Sequence, residues 1–141
     1  MTGRSPGFTL LEVAMVLILL GLLAAAGLPA FFRGTSGLEW RLARDGLRRD
    51  LATARATAIG RGRPTALLIE AGGYLVDLGA GEALRRSLPS GVTLVLGSGG
   101  GEAGRVSFGP DGRSGGAVLE LAAGGRRAVL RVEEDGEIVW E

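Results

Sequence analysis

From Phe8 to Phe32 the chain runs 25 residues with Glu12 as the only charge. About 20 apolar residues suffice to cross a bilayer core, so this segment is long enough to span a membrane. The short stretch before it, Met1 to Gly7, carries Arg4, which favours a cytoplasmic N-terminus. A secretory signal peptide would place a small-residue cleavage site after the apolar stretch, whereas here Gly7 stands before it. The run on its own is also what a plain signal anchor would show. Glu12 is the unusual residue. A carboxylate inside such a helix costs about 2.5–3.5 kcal/mol on insertion scales near mid-membrane, less near a terminus, and is usually explained by a partner.

Composition narrows the function classes for the remainder. There is no Cys and no His, and all sixteen basic residues are Arg. The usual zinc, iron and copper ligands are therefore missing, and only carboxylate and carbonyl sites are left. Without Lys there is no Walker A loop, and without His or Cys no Ser-His or Cys-His nucleophile pair. A carboxylate pair is the only familiar acid–base machinery available. Sixteen Arg face fifteen Asp and Glu, so the basic excess of a phosphate-binding protein is absent. Neither an enzyme, a cofactor nor a nucleic-acid partner is expected.

Gly7-Phe8-Thr9-Leu10-Leu11-Glu12 resembles the prepilin signal, and Pro29 lies 21 residues beyond Phe8, where many pilins place a helix-kinking proline. The resemblance is strong from Gly7 to Pro29. It implies a leader, 1–7, removed by a membrane aspartyl prepilin peptidase between Gly7 and Phe8, and N-methylation of the new Phe8 terminus. It also implies a transmembrane helix over 8–32 and a pairing of Glu12 with the Phe8 amine of an adjoining subunit. The fold it implies is α+β and type IV pilin-like, a long N-terminal membrane-spanning helix packed on a small, mainly antiparallel sheet domain. The protein would then sit in the inner membrane with its C-terminal domain periplasmic, its partners being the peptidase and other pilin or pseudopilin subunits.

Beyond the span, Arg33-Gly34-Thr35-Ser36-Gly37 is a weak point for a helix, since two interior glycines are costly. An amphipathic helix continuing the first is expected over 33–60, patterned from Leu38 to about Ile59. Trp40, Ala43, Leu47, Leu51, Ala54 and Ala58 form one stripe at 3–4 spacing. Leu38 and Leu42 fall opposite it, either as ordinary exposed residues or as contacts to neighbouring helices in a filament. Arg61-Gly62-Arg63-Pro64 ends the helix. A β-rich domain then fills 61–141, with about seven short strands: 66–70, 74–78, 92–96, 106–108, 117–121, 128–132 and 138–140. The turns between them are marked by Ala71-Gly72-Gly73, Gly109-Pro110-Asp111-Gly112, Gly124-Gly125 and Asp135-Gly136. Gly97-Ser98-Gly99-Gly100-Gly101 precedes no helix pattern, which makes it a flexible loop and not a phosphate cradle. Glu133, Glu134, Asp135 and Glu137 cluster at a turn, as a solvated hairpin tip would, with a calcium or acid–base site as the alternative.

The second half is similar to the GspH/FimT group of minor pilins and pseudopilins. The likeness lies in Ala54-Arg55-Ala56-Thr57-Ala58-Ile59, Arg61 to Pro64, Val106 to Gly112, and a final strand after Asp135-Gly136. A GspH-type subunit implies the pseudopilus of type II secretion. A FimT-type relative implies type IV pili for DNA uptake or twitching, with DNA held through C-terminal arginines. Here Arg126, Arg127 and Arg131 could form such a patch, but the chain ends in an acidic tail, Glu133 to Glu141. Both readings stay open, as does a plain signal-anchored periplasmic domain.

Overall fold

A computed structural model describes residues 9–99 and 104–141, with the backbone alone at 26–36 and 98–99. The chain divides into two compact units, Met1–Leu38 and Glu39–Glu141. A single helix, α1, is assigned from Leu10 to Arg61. Pro29, where a kink is expected, falls inside α1, whose assignment runs through it without a break, whereas Gly7, Phe8 and the leader lie outside the described residues. The weak point expected over 33–37 leaves no break in the assignment of α1.

The first unit begins with a helix cap. Thr9 Oγ1 accepts the backbone N–H of Glu12 at 3.2 Å, satisfying one of the donors that every helix start leaves open. From Leu10 to Leu23 every large apolar side chain is between 48% and 91% exposed. Among the described residues no helix is long and apolar enough to cross a membrane. The span expected over 8–32 includes Phe8 and the side chains of 26–32, which lie outside those residues.

In the second unit the helix is amphipathic, and its inner stripe follows the sequence spacing. Leu47, Leu51, Ala54 and Ala58 are fully buried and Trp40 nearly so, while Leu42 is exposed. The helix stops where the sequence changes chirality. Gly62 adopts φ +61°, its N–H bonds to Ile59 O at 3.4 Å, and the Arg63 N–H reaches back to Ala58 O at 3.2 Å. That pair of bonds is a Schellman cap, and Gly takes the left-handed position without a Cβ penalty.

Among the described residues eight strands follow, one more than expected, in two four-stranded antiparallel sheets. The first sheet holds β1 (Thr65–Glu70), β2 (Gly73–Gly79), β3 (Glu82–Ser87) and β5 (Arg105–Phe108), ordered β3-β2-β1-β5. The second holds β4 (Val92–Gly99), β6 (Ala117–Ala123), β7 (Arg126–Val132) and β8 (Ile138–Trp140), ordered β4-β6-β7-β8. The unforeseen strand is β3, whose sequence Glu-Ala-Leu-Arg-Arg-Ser lacks the apolar alternation that marks the others. Gly97, Ser98 and Gly99, expected in a flexible loop, belong to β4, which shifts register between Leu96 and Gly99. Residues 100 and 101 lie outside the described residues.

Register explains the core. Thr65 pairs with Phe108, and Leu67 with both Val76 and Val106, so those residues share one face of the first sheet. In the second, Leu94–Leu121–Ala128 and Leu96–Leu119–Leu130–Trp140 run across the strands as rows. These inner faces and the helix stripe form one cluster. Each fully buried Leu or Phe there contributes about 1.5–3 kcal/mol of transfer free energy. Thr65, buried beneath the helix, donates its hydroxyl to Ala54 O at 3.0 Å, so its own burial leaves that hydroxyl satisfied.

Candidate assembly surface

In the first unit the chemistry gathers at the helix start. Thr9-Leu10-Leu11-Glu12 has the S/T-x-x-E spacing of a capping box, a signal that a reading centred on the membrane passes over. The Glu12 carboxylate therefore sits in the first helical turn, where the partial positive charge of the helix N-terminus favours an anion.

Motifs scattered along the second half meet at Arg55. Its Nε donates to Gly112 O at 3.2 Å and its Nη2 to Asp135 O at 2.8 Å. One guanidinium of α1 thus ties the β5–β6 turn to the β7–β8 hairpin. Gly136 makes the approach possible: at φ +83°, a Cβ there would lie 2.0 Å from Gly112 O and 2.7 Å from Arg55 Nε. Three of the segments carrying the GspH/FimT likeness, Ala54 to Ile59, Val106 to Gly112 and the one opening at Asp135-Gly136, thereby meet at one side chain.

A second buried network joins the helix to the outer strand of the first sheet. Asp50, 4% exposed, accepts from Tyr74 Oη at 2.9 Å and from Arg86 Nε at 3.0 Å. Burial, followed by the Asp50 carboxylate, raises the Tyr74 phenol well above its ordinary value. The same carboxylate bond raises the Arg86 guanidinium. Sequence spacing gives no sign of this network, because Asp50, Tyr74 and Arg86 come from three separate elements. A pocket of about 290 Å³ opens beside it, between Leu42, Arg49 and Pro89.

The three tail arginines do not form one patch. On β7, Arg127 and Arg131 share a face and Arg126 takes the other, by strand alternation. Arg127 pairs with Glu120; Arg131 pairs with Glu141, its Nε 2.7 Å from the carboxylate, and lies 3.7 Å from Glu133. The acidic residues at 133–137 form an exposed hairpin tip. Gly136 N–H bonds Glu133 O, and Asp135 Oδ1 accepts the Glu137 N–H at 2.9 Å. Among the described residues no group of carboxylates is arranged to hold a metal ion.

One long helix with two antiparallel sheets packed on its second half is the type IV pilin-like architecture. The type IV minor pilin FimU of Pseudomonas aeruginosa (strain PAO1), in its P21 crystal form, matches with a TM-score of 0.62 at 17% identity, over 76% of this chain and 91% of that one. The minor pseudopilin EpsH from the Type 2 Secretion System of Vibrio cholerae gives 0.57 at 15% identity, over 73% and 96%. At such identities the likeness is one of fold. No curated protein sequence matches the chain. The family model for type II transport protein GspH matches residues 43–136, and the chain belongs to that family.

Proposed function

We propose that the chain is a minor pseudopilin of a type II secretion filament, anchored in the inner membrane by 8–32 and acting as a structural subunit, not a catalyst. The observation that carries this reading is the first unit. A helix whose large apolar side chains from Leu10 to Leu23 all stand exposed, whichever side they face, needs lipid or other helices around it. Filament assembly supplies both in turn. The leader is cut between Gly7 and Phe8, the new Phe8 amine is methylated, and Glu12 pairs with the amine of a neighbour. Each charge is costly in an apolar medium alone, and docking lets them offset one another. The exposed Leu42 face of α1 is where neighbouring helices pack. Secretion is favoured over DNA uptake because Arg127 and Arg131 are already matched by Glu120 and Glu141, and the tail beyond is acidic.

Mass spectrometry of the protein extracted from a host with active prepilin peptidase should find a chain starting at N-methylated Phe8. Gly7→Leu should leave it uncut. Glu12→Gln separates the two roles of that residue, since Gln still serves a capping box but carries no charge. Charge pairing predicts normal cleavage with loss from the filament; normal incorporation would leave Glu12 only the cap. Deletion in the native host should abolish type II export and spare transformation, and the reverse result would reassign the chain to an uptake pilus.

A further inference from the structure

The pocket beside the Asp50 network has two walls, both within the second unit. One is helical: Leu42, Gly46, Arg49 and Asp50 recur at i, i+4, i+7 and i+8 of α1. The other is the end of β3 and the chain after it, Arg86 to Pro89. Backbone bonds hold this second wall in place, Leu88 N–H to Gly72 O at 2.9 Å and Val92 N–H to Pro89 O at 3.0 Å. The space is therefore preformed.

Two features of it serve neither the helix nor the core. Gly46 stands inside α1, where Ala would favour the helix more. Beyond its own turn of helix, a Cβ there would come no closer to any atom than 4.0 Å, at Tyr74 Oη. The fold has room for a side chain, and its lack leaves the pocket floor open. Arg49 is exposed and has no ion pair among the described residues. Asp45, one turn before it, lies instead 4.0 Å from Arg44, and an exposed pair with Arg49 would be weak. The Asp50 carboxylate is already matched, since Tyr74 Oη and Arg86 Nε both donate to its Oδ2. The lining thus carries two guanidiniums and one carboxylate, a surplus of one positive charge.

We propose that this pocket takes a single carboxylate, presented on an apolar segment by a neighbouring pilin-type subunit other than a second copy of this chain. A monoanion balances the surplus, whereas a phosphate dianion would bring excess negative charge beside buried Asp50. Leu42 on one wall and Leu88 and Pro89 on the other offer apolar surface to the residues flanking the carboxylate. At about 290 Å³ the space lies at the lower end of small-molecule sites, about 300–1,000 Å³, and suits an inserted side chain better than a cofactor. Leu42 also joins the pocket to the exposed face of α1 on which neighbours pack. The proposal rests on the pilin-type assembly reading and names one of its contacts. A socket that received its own chain would extend in an open series, which a minor subunit does not form.

The full-length chain is given the photocrosslinker p-benzoylphenylalanine at Ser87, an exposed position on the pocket wall, and expressed in its host with active prepilin peptidase. After irradiation the sheared filament fraction is digested and the adduct mapped by mass spectrometry. It should fall on another pilin-type subunit within a few residues of an Asp or Glu. Arg49→Glu should reduce it by about tenfold, and exchange of that acid for Arg in the partner should restore it. Arg48→Glu, next along the helix but outside this pocket, should leave it unchanged. Gly46→Leu should fill the floor and remove the adduct while favouring the helix. In each variant a Tyr74 phenol still raised well above its ordinary value shows that the Asp50 network is intact. An adduct that ignores Arg49→Glu, lies away from any carboxylate or joins two copies of this chain overturns the contact and leaves the assembly reading standing. Chain in the filaments with no adduct does the same. Chain absent from every filament fraction overturns both. An adduct displaced from isolated membranes by inorganic phosphate and not by acetate would make the pocket a phosphate site instead.

Discussion

The two stretches of α1 invert one another. Between Leu10 and Leu23 large apolar residues stand exposed wherever they fall on the helix, whereas between Trp40 and Ala58 they keep to one stripe and are sealed against two sheets. The same secondary structure is therefore satisfied from outside in one unit and from within in the other. Helix formation alone says nothing about where the stabilising contacts come from; the angular distribution of apolar residues does.

The sharpest way to break this contrast is to separate the units. A chain beginning at Glu39 should stay in aqueous solution without detergent and unfold cooperatively by circular dichroism, while the full chain requires detergent. Aggregation or disorder of the shorter chain would mean that its core depends on residues 9–38. Next in size come substitutions that the second unit alone should feel. Leu51→Ala, at a fully buried position, should cost about 2–5 kcal/mol in chemical denaturation. Gly136→Ala should cost about 2–4 kcal/mol, because at φ +83° its methyl would fall on the Gly112 carbonyl and on the Arg55 guanidinium, prising Arg55 from both turns.

A smaller effect tests the Asp50 network. Tyr74 is the chain's only tyrosine, so tyrosinate absorbance reads it alone. Its phenol is raised in the folded state, so the stability it contributes is complete below the ordinary value of about 10 and declines as pH rises beyond it. The expected slope is about 1.4 kcal/mol per pH unit, absent in Tyr74→Phe. Ionisation of the folded protein near pH 10 would contradict the buried hydrogen bond. Smallest of all, Leu42→Ala should change the stability of the isolated unit by no more than about 0.5 kcal/mol, since that residue is exposed. Loss of filament incorporation by the same variant would mark it as an assembly contact.

Much of this could be read before any coordinates. The stripe from Trp40 to Ala58, the stop at Gly62 and the hairpins at Gly72, Gly124 and Gly136 follow from local rules of period and backbone chirality. What escaped obeys no local rule. The strand β3 is held by pairing with β2 and by Arg86 reaching Asp50, and only the turn Gly79-Ala80-Gly81, with Ala80 at φ 56°, hints at it. The division into two sheets was equally hidden, because strand order is a long-range fact. The Arg55 junction lay between: its three segments were each conspicuous, yet their meeting is tertiary. Glu12 was legible as an anomaly in the apolar run, but its place in a capping box needed the helix start to be fixed at Leu10.

A protein that polymerises must do so by one surface and refuse by the rest, and the outer strand of the first sheet enforces that refusal. An open strand edge is an invitation to add further strands from other molecules. On β3, Arg86 turns a charge inward to Asp50, while Arg85 pairs outward with Glu70 and Glu82 with Arg61. A foreign strand laid along that edge would have to leave room for charges on both faces. Strand addition is thus opposed at the β3 edge, which leaves contacts of another kind to join this side of the molecule to its neighbours.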